Sequence, residues 1–563
     1  MIIDYRGGEA PRQFEGDVCI LGAGIAGLTI ARTFIGRSQT VWVIESGGLR
    51  SSQRNQALYE GANIGEPGID PAACRLRTFG GSCNLWGGGC VPLDSTHHRS
   101  WVPYSGWPLS RNALEPYYLR AAALLGLGSL PLGDTGFLAP PPHPPLQFDP
   151  SLLRNQLCAA SPLLPGGELR AMFGAAPNVH VLLNANVLEL EAADSGESVR
   201  CARIASLERK EGKVRARRFV LACGGIENAR LLLLSDSVVP HGLGNARGLV
   251  GRYFMDHPSG RIGTIETATP EALTTPYTRT AAPPGGVTVR PEITLSEAAQ
   301  QRHGLLSARV RPFPVEAPVP GGLQALRQFR SRLADRHLDA AELLHRNICR
   351  RHNGEPCASP GDPGSLAPLA LRTLLGAGDL TQAAVRRLSG RTTVPTVRVD
   401  LIGYFEQAPN PDSRIVLGEE RDETGQRKVC VDWRLTDLDR HTHRTAAIVF
   451  GEELARACNG RFFPDPPLLE SEGHLQVAGS SHHLGTTRMG TDAAQGVVDV
   501  DCRVHGVDNL YCAGSSVFPT GGWAFPTFAI VALATRLADH LQRQSDSAAS
   551  AGQESKRANE RTR

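Results

Sequence analysis

The hydrophobic pattern is clearest near the start of the chain, where two short apolar runs flank a helical pattern. Residues 17–21 form the first run, and apolar residues at helical spacing follow across 28–34. The second run, 41–44, ends in Glu45. This order predicts a strand, a helix and a second strand in one βαβ unit, with an acidic side chain at the end of the second strand.

Apolar runs return after residue 178 and predict that the chain re-enters the same sheet. The expected strands cover 179–183, 187–190, 202–205, 214–216 and 219–222. The last of them leads into Gly224 and a helical pattern with Glu227 in its first turn. Further strands are expected at 397–406 and 414–417. Strands that alternate with helices predict an α/β fold.

Four other helical patterns and two irregular segments complete the pattern. The helices are expected at 111–127 with Ser110 as N-cap, 323–348, 366–388 and 528–541. Residues 140–145 predict a stiff proline-rich connection, and 542–563 lack apolar periodicity and are predicted to be disordered. The helix at 323–348 carries Arg327, Arg330, Arg336 and Arg346. A solvated helix face is the preferred interpretation, and contact with a membrane surface or an acidic partner is the alternative.

Composition narrows the class of protein. A chain of 563 residues is too long for one simple core, so two or more domains are expected. The net charge of +3 gives no reason to expect a nucleic-acid partner. The 13 cysteines include no Cys-x-x-Cys pair, which argues against zinc and favours reduced thiols in the cytoplasm. No export signal and no transmembrane segment are predicted.

The turn between the first strand and helix has the spacing Gly-x-Gly-x-x-Gly. Gly22 permits the tight turn, Gly24 lets backbone amides approach a pyrophosphate, and Gly27 lets helix and strand pack closely. Glu45 is placed to accept hydrogen bonds from an adenosine ribose. Together these features predict dinucleotide binding.

Two later stretches are suited to a large ligand. Residues 80–89 place five glycines around Trp86, which favours close approach of backbone to a flat or charged ligand over a plain surface loop. Near the C-terminus, His482 and His483 precede the turn at Gly485. A neutral imidazole at this place is suited to act as a general base.

With these motifs, the chain resembles the glucose–methanol–choline (GMC) family of flavin oxidoreductases over nearly its full length. The matching stretches are the Gly22–Gly27 turn with Glu45, 79–88, 221–230, 250–258, 406–414 and 482–527. Within the family the chain looks similar to the sugar- and polyol-oxidising branch. The resemblance implies a Rossmann-type FAD-binding domain, α/β in class, assembled from separated segments, with an inserted α+β substrate domain.

The resemblance also implies domain limits and a cofactor site. The FAD-binding domain would comprise 14–92, 176–258 and 484–541, and the substrate-binding domain 93–175 and 259–483. The implied cofactor-binding residues are Gly22, Gly24, Ile25, Ala26, Gly27, Glu45, Ser46, Gly81, Ser82, Asn84, Trp86, Gly87, Gly88, Val187, Ala222, Gly224, Ala513, Gly514, Pro526 and Thr527.

Family members use a histidine as general base three residues before a Gly-Thr step, which corresponds to His482. A shift of one residue leaves His483 as the alternative. Two positions depart from the family pattern. Leu85 stands where some members carry a histidine that bonds FAD covalently, so non-covalent FAD is expected. Phe525 stands where the family places a second His or Asn that hydrogen-bonds the substrate oxygen, and a phenyl ring cannot do so.

The implied function is oxidation of an alcohol, such as a sugar or cyclitol, by hydride transfer to flavin. Its implied partners are a small-molecule alcohol and an electron acceptor, which is oxygen, a quinone or a redox protein. The loss of a polar residue at Phe525 leaves a lyase or other non-redox member of the family as the alternative. A non-enzymatic subunit that binds FAD or a partner through its basic helix is a further one. Anaerobic bleaching of the flavin by substrate distinguishes a redox enzyme from a lyase, and a non-enzymatic subunit is expected to co-purify with another protein and to show no turnover alone.

Overall fold

The computed structural model of the protein describes residues 1–7, 11–72, 75–93, 97–128, 144–163, 165–278, 287–335, 366–388, 394, 396–470 and 477–561, with side chains through 545. Most of the predicted proline-rich connection at 140–145 and the second half of the predicted helix at 323–348 lie outside these residues. No helix in the part of the chain that is described is long and apolar enough to cross a membrane.

The strands, in chain order, are β1 (Ile2–Asp4), β2 (Gln13–Leu21), β3 (Val41–Ile44), β4 (Gly61–Asn63), β5 (Gly89–Cys90), β6 (Leu153–Ala160), β7 (Val179–Leu183), β8 (Asn186–Ala192), β9 (Val199–Ala205), β10 (Glu211–Leu221), β11 (Pro258–Glu266), β12 (Val289–Leu295), β13 (Ala308–Glu316), β14 (Thr396–Phe405), β15 (Arg414–Arg421), β16 (Arg427–Asp432), β17 (Arg461–Pro464), β18 (Ala478–Gly479) and β19 (Leu510–Cys512).

The α-helices are α1 (Ile25–Thr33), α2 (Gln53–Ala57), α3 (Arg111–Leu124), α4 (Pro165–Ala175), α5 (Gly224–Leu234), α6 (Pro270–Thr278), α7 (Glu297–His303), α8 (Gly321–Asp335), α9 (Leu366–Leu375), α10 (Ala377–Leu388), α11 (Asp437–Ala457), α12 (Pro466–Leu469) and α13 (Pro526–Arg561). Short 3₁₀ turns cover Gly81–Leu85 and Ser515–Val517.

The first sheet has the order β1-β7-β3-β2-β10-β9-β8, and β19 also pairs with β10. Five neighbouring strands of this sheet run parallel, namely β1, β7, β3, β2 and β10, and β19 is parallel to β10. β9 pairs antiparallel with both β10 and β8. Val18, Ile20, Val43 and Val220 are fully buried, because helices cover a parallel sheet. The carboxyl ends of β2, β3, β10 and β19 meet at one edge, where ligands bind in open α/β sheets.

The second sheet is antiparallel, with the order β17-β11-β14-β13-β12-β6-β5, and β18 pairs with β11. It has its own core, in which Ile293, Val310 and Leu401 pack against Phe450 of α11. A small third sheet, β15-β16-β4, joins residues from both halves of the chain. The predicted α/β class is confirmed. The domain limits at 14–92, 176–258 and 484–541 and at 93–175 and 259–483 stay a proposal. β1 pairs in the first sheet although it precedes residue 14, and β5 pairs in the second sheet although it lies within 14–92.

Local predictions and structure agree at most element starts and differ at two places. The Ser110 side chain accepts a hydrogen bond from the Ala113 amide, as expected of the N-cap of α3. The helical pattern at 366–388 is split into α9 and α10 around Gly376. The segment 542–563, predicted to be disordered, is helical through Arg561. Its Ala, Gln, Glu, Lys and Arg residues are good helix formers, so they continue a helix that burial of 528–541 has already nucleated.

A buried ion cluster ties the segment before the 80–89 glycine loop to α5 and the β15–β16 turn. Glu227 accepts from Arg75 at 2.8 Å and from Arg77 at 3.0 Å, and Arg230 lies 3.3 Å away. Arg230 also bonds Asp422 at 2.7 Å. Burial by itself raises the pKa of Glu227, but the charges of Arg230, Arg77 and Arg75 outweigh it and lower that pKa to about 2.

Replacement of Glu227 by Gln is expected to remove a pH-dependent part of the stability. Because the folded pKa is depressed from 4.5 to about 2, the carboxylate's contribution is complete above pH 4.5 and is lost as the pH falls toward 2. The shift corresponds to a difference of about 3 kcal/mol in the free energy of unfolding. Urea unfolding of wild type and Glu227→Gln at stepwise lower pH measures it, with Glu419→Gln at an exposed position as control. A gap between the two proteins that does not narrow below pH 4.5 contradicts the prediction.

Candidate active site

A cavity of about 1290 Å³ extends between the edge of the first sheet and the face of the second. From the first sheet it is lined by the turns that follow β2, β3 and β10 and by Gly514 after β19. From the second sheet it is lined by side chains of β12, β13 and β14. His482 and Phe525 lie on the cavity wall where the lining from the first sheet meets the lining from the second. The cavity therefore joins a nucleotide-type site to a second, side-chain-rich compartment.

The turn after β2 is held by backbone hydrogen bonds to both neighbouring strands. The Gly22 amide donates to the Ile44 carbonyl at 2.7 Å, and the Ala222 amide donates to the Leu21 carbonyl at 2.7 Å. Gly22 has a φ of +104°, which a residue with a side chain rarely adopts. A Cβ on Gly22 would lie 2.6 Å from the Ala222 carbonyl oxygen. The first glycine of the Gly-x-Gly-x-x-Gly motif is therefore required by the turn itself.

The lining of this part of the cavity consists of bare backbone. A Cβ added to Gly87 or Gly224 would meet nothing within 4 Å, and one added to Gly24 or Gly514 would meet its nearest atom at 4.0 Å. All four residues line the cavity, so a side chain at any of them would occupy it. Exposed backbone amides at the start of a helix favour phosphate. The residues present thus fit a dinucleotide such as FAD.

Glu45 lies at the end of β3, where the βαβ pattern places it. One carboxylate oxygen accepts from the Ala23 amide at 2.9 Å and the other from the Gly47 amide at 2.8 Å. Burial raises the pKa of this carboxyl group, while the two backbone hydrogen bonds lower it. Glu45 is buried and lines the cavity, so it is fixed in position before any ligand arrives. We propose that it binds the adenosine ribose.

The loop that carries His482 is anchored by a single buried carboxylate, that of Asp256. It accepts hydrogen bonds from four backbone amides, those of His257 at 2.6 Å, Ser480 at 3.1 Å, Ser481 at 3.1 Å and His482 at 2.9 Å. Burial raises the pKa of Asp256 to about 6, although each of these hydrogen bonds lowers it. Ser481 has a φ of +63°, an unusual conformation that these bonds maintain. The imidazole of His482 is thereby directed from a fixed backbone.

His257 contacts the His482 ring directly. The two Nδ1 atoms are 2.8 Å apart, so one ring donates a proton to the other. Burial and the nearby charge of Arg309 lower the pKa of His257 to about 4, so it is neutral at physiological pH. A neutral His257 has one nitrogen that accepts, which permits His482 to carry its proton on Nδ1.

His483 has a different environment from His482. It packs beside Phe254, with ring centroids 5.7 Å apart, and its carbonyl accepts from the Ser515 hydroxyl at 2.6 Å. Burial, with a contribution from the charge of Arg75, lowers its pKa to about 3. These contacts favour a packing role next to the cofactor cradle over the alternative role as base.

Phe525 lies against His482, with ring centroids 5.9 Å apart and nearly perpendicular planes. The guanidinium of Arg309 is 4.5 Å from the Phe525 ring centroid. Gly89 also packs against this ring, since a Cβ there would lie 2.9 Å from a ring carbon of Phe525. The position that departs from the family pattern therefore adjoins both the candidate base and a buried cation.

Most sequence-predicted site residues line this one cavity. They are Gly22, Gly24, Ile25, Ala26, Glu45, Ser46, Gly81, Ser82, Trp86, Gly87, Val187, Ala222, Gly224, Gly514, Pro526 and Thr527, with His482, His483 and Phe525. Gly27, Asn84, Gly88 and Ala513 are not part of its lining. Gly27 packs α1 against the turn, and Asn84 is hydrogen-bonded to the Phe79 carbonyl and the Gly166 amide. Gly88 packs against Ser161, and the Ala513 amide donates to the Leu221 carbonyl.

Sequence reasoning missed four residues that organise the site. The sequence pattern predicted only a loop for the stretch that contains Asp256 and His257. The available signal was an adjacent Asp-His pair directly before Pro258. Asn228 accepts from the Cys223 amide at 2.8 Å and donates to the Ala513 carbonyl at 3.0 Å, which joins the β10 and β19 turns. Arg309 lay in a region without a readable motif. Only strand pairing brings it to the cavity.

Comparison with known proteins agrees with this geometry. Residues 409–534 match the family model "GMC oxidoreductase". The chain is 27% identical to 6'''-hydroxyparomomycin C oxidase of Streptomyces lividus, over 93% of this chain and 92% of that protein. It is 22% identical to the fructose dehydrogenase large subunit of Gluconobacter japonicus, over 93% and 97% of the two chains.

The fold is also similar to that of a solved flavoenzyme. The structure of formate oxidase superposes with a TM-score of 0.55 at 16% identity, and covers 96% of this chain and 100% of that one. The predicted resemblance is confirmed by these matches together with the glycine turn and the bare-backbone cradle. Residues 409–534 thus carry a GMC oxidoreductase domain, and the similarity over 93% of the chain supports an FAD-dependent oxidoreductase that acts on CH–OH groups.

Proposed function

We propose that the protein oxidises the CH–OH group of a small molecule, such as a sugar or cyclitol, with His482 as general base. The observation that carries the proposal is the position of His482, held by Asp256 and His257 on the wall of a cavity whose other end is a dinucleotide cradle. The named activities of the relatives support this substrate class. An electron acceptor, which is oxygen, a quinone or a redox protein, completes the cycle.

The chemistry requires a base and a hydride acceptor at one carbon. FAD, when bound in the cradle, supplies the hydride acceptor. The hydroxyl proton passes to His482 Nε2, the ring nitrogen that His257 does not engage. Nε2 of neutral His482 can accept the hydroxyl proton only if the ring's own proton lies on Nδ1. His257 Nδ1 must then accept the hydrogen bond that His482 Nδ1 donates. After proton transfer both nitrogens of His482 carry protons, and the Nδ1 donor still has the same acceptor.

The FAD is proposed to be bound without a covalent link. Leu85 lines the cavity and has no nucleophilic atom. Cys83 and Cys223 also line it, but burial raises the pKa of each thiol to about 12, so the reactive thiolate is scarce at neutral pH. A cytoplasmic location is retained as a proposal from the cysteine pattern of the sequence.

Acid precipitation of the purified yellow protein is expected to release all of its flavin, because no covalent bond holds it. The supernatant should carry the full flavin absorbance and the pellet none. Flavin fluorescence that migrates with the denatured polypeptide on a gel would contradict non-covalent binding.

Anaerobic mixing with an oxidisable alcohol is expected to bleach the flavin, which tests the proposed function. His482→Ala should slow flavin reduction by about 10²–10⁴-fold, because a positioned general base contributes that much. His441→Ala, at an exposed histidine of α11, is the control and should reduce flavin at the wild-type rate. Failure of a broad alcohol panel to bleach the flavin overturns the oxidoreductase proposal, and wild-type rates in His482→Ala overturn the assignment of the base.

His257 is proposed as a positioning residue, and its substitution separates orientation from structure. His257→Leu removes the acceptor for His482 Nδ1 and should slow flavin reduction about 10- to 100-fold, with little change in substrate Kd. His257→Gln offers an amide oxygen as a replacement acceptor and should recover part of the rate. Equal rates in the two variants would indicate that the histidine only fills space.

A further inference from the structure

The second compartment of the cavity contains three arginines that share one carboxylate. Arg290 of β12 and Arg309 and Arg311 of β13 surround Glu292, with N···O distances of 2.8, 3.1 and 3.6 Å. Glu292 is fully buried, and although burial raises its pKa, the three guanidinium charges lower it overall, so it is ionised. All three arginines line the cavity, whereas Glu292 does not. We call these three arginines the arginine triad.

The charges of the triad are not balanced by Glu292. Three guanidinium groups against one carboxylate leave a net charge of +2. Three other acids, on β14, directly after β14 and on the cavity wall, are engaged elsewhere. Asp400 pairs with Arg398 and Arg261, Glu406 pairs with Arg99 at 2.6 Å, and Asp256 accepts from four backbone amides. Excess positive charge away from water is unfavourable unless an anion arrives to offset it.

Of the three arginines, Arg309 places its positive charge next to Phe525, close to His482. Its guanidinium lies between the rings of Tyr404 and Phe525, 3.8 Å and 4.5 Å from their centroids. The side chain is only 3% exposed, and its Nε has no hydrogen-bond partner among the described residues. A buried donor without a partner is costly, so it marks a place where an acceptor belongs. Phe525, which Arg309 covers, is also the ring that contacts His482.

We propose that the alcohol substrate carries an oxyanion, a carboxylate or a phosphate ester, and that the arginine triad binds it. This inference rests on the proposed function. It identifies the substrate as an acidic alcohol, in which the anionic group occupies the arginine side while the CH–OH group faces His482. Guanidinium groups bind both oxyanions through paired hydrogen bonds. Arg309 also places a donor beside Phe525, where the family's own hydrogen-bonding residue is missing.

The redox step itself is unchanged. The carbinol C–H bond is broken with transfer of a hydride, the O–H proton passes to His482, and the carbon–oxygen double bond forms. The oxyanion takes no part in electron transfer, and its role is to hold the substrate in register with His482.

Two alternative roles of the arginine triad lead to different predictions. If the arginines only support Glu292 in the sheet, their loss lowers stability without changing the choice of substrate. If they bind the phosphates of FAD, their loss lowers the flavin content of the purified protein. The cradle of Gly24, Gly224 and Gly514 lies on the first sheet, whereas the triad belongs to the second.

The test uses matched pairs of alcohols that differ in charge, with anaerobic flavin reduction as the readout. The pairs are benzyl alcohol with 4-(hydroxymethyl)benzoate, glucose with glucuronate, glycerol with glycerate and glycerol 3-phosphate, and glucose with glucosamine as a cationic arm. An anionic member is expected to reduce the flavin at least about 10-fold more efficiently than its neutral partner. The carboxylate and phosphate arms decide which oxyanion is preferred.

Arg311→Gln and Arg290→Gln, at positions about one-fifth exposed, are the primary variants, because full burial of Arg309 puts its substitution at risk of misfolding. Each should lower the efficiency for the anionic alcohol about 10- to 100-fold and leave the neutral partner within about twofold. Arg398→Gln, an exposed arginine of β14 outside the cavity lining, is the matched control. Benzoate and inorganic phosphate, as unreactive anions, should inhibit wild type competitively and the triad variants less.

The outcomes separate the inference from the function on which it rests. Bleaching by neutral alcohols with no preference for the anionic partner overturns the arginine-triad proposal and leaves alcohol oxidation intact. Equal losses on neutral and anionic substrates, or loss of flavin from the triad variants, overturn it as well. Absence of bleaching by any alcohol overturns the proposed function itself.

Discussion

The buried carboxylate of Asp256 is the interaction on which the proposed catalytic arrangement depends. It lies where the chain leaves the first sheet for β11 of the second, and it accepts from the amide of the next residue, His257, and from the amides of the loop that carries His482. A single anion thus connects the nucleotide-binding half, the substrate half and the loop of His482. Backbone amides are suitable partners because they keep the anion satisfied without a competing cation next to the base.

The second consequence of this crossing is the pairing of His257 with His482. Since His257 directly follows Asp256, the anchor that fixes the loop also sets the distance between the two Nδ1 atoms at 2.8 Å. Burial keeps His257 neutral, which makes it an acceptor rather than a repelling charge. Orientation, protonation state and loop geometry at the proposed base are therefore coupled through two adjacent residues.

The two halves of the cavity treat charge differently. Around Glu227, the arginines from the 75–77 segment and α5 are tied to Glu227 and Asp422 and connect separate elements. Around Glu292, three arginines share one acid, and Arg309 is held between two aromatic rings. The first cluster holds separate segments of the chain together. The cluster around Glu292 has an excess of positive charge beside the proposed base, and for this reason we propose that it binds the substrate.

Local sequence determined those features of this protein that are formed by residues close together in the chain. The Gly22–Gly27 turn and Glu45 after β3 follow from spacing, because a turn and a strand end are set by neighbouring residues. The same holds for the strands from 179 to 221 and for the Ser110 cap. The pattern placed two histidines before Gly485, and the resemblance to the family selected His482 between them. The prediction for the segment after 541 was wrong because composition without apolar periodicity predicts disorder, whereas a continuing helix needs only favourable propensity.

Only the tertiary structure decided what lies opposite those motifs. Asp256 acquires three of its four amide partners from residues more than two hundred positions away, and Arg309 reaches Phe525 through the pairing of β12, β13 and β14. Such contacts depend on strand register and on the packing of one sheet against another, and no local pattern encodes them. The sequence thus pointed to a candidate base and a cofactor turn. The fold supplied the anchor, the partner imidazole and the cationic wall, because each is made by residues distant in the chain.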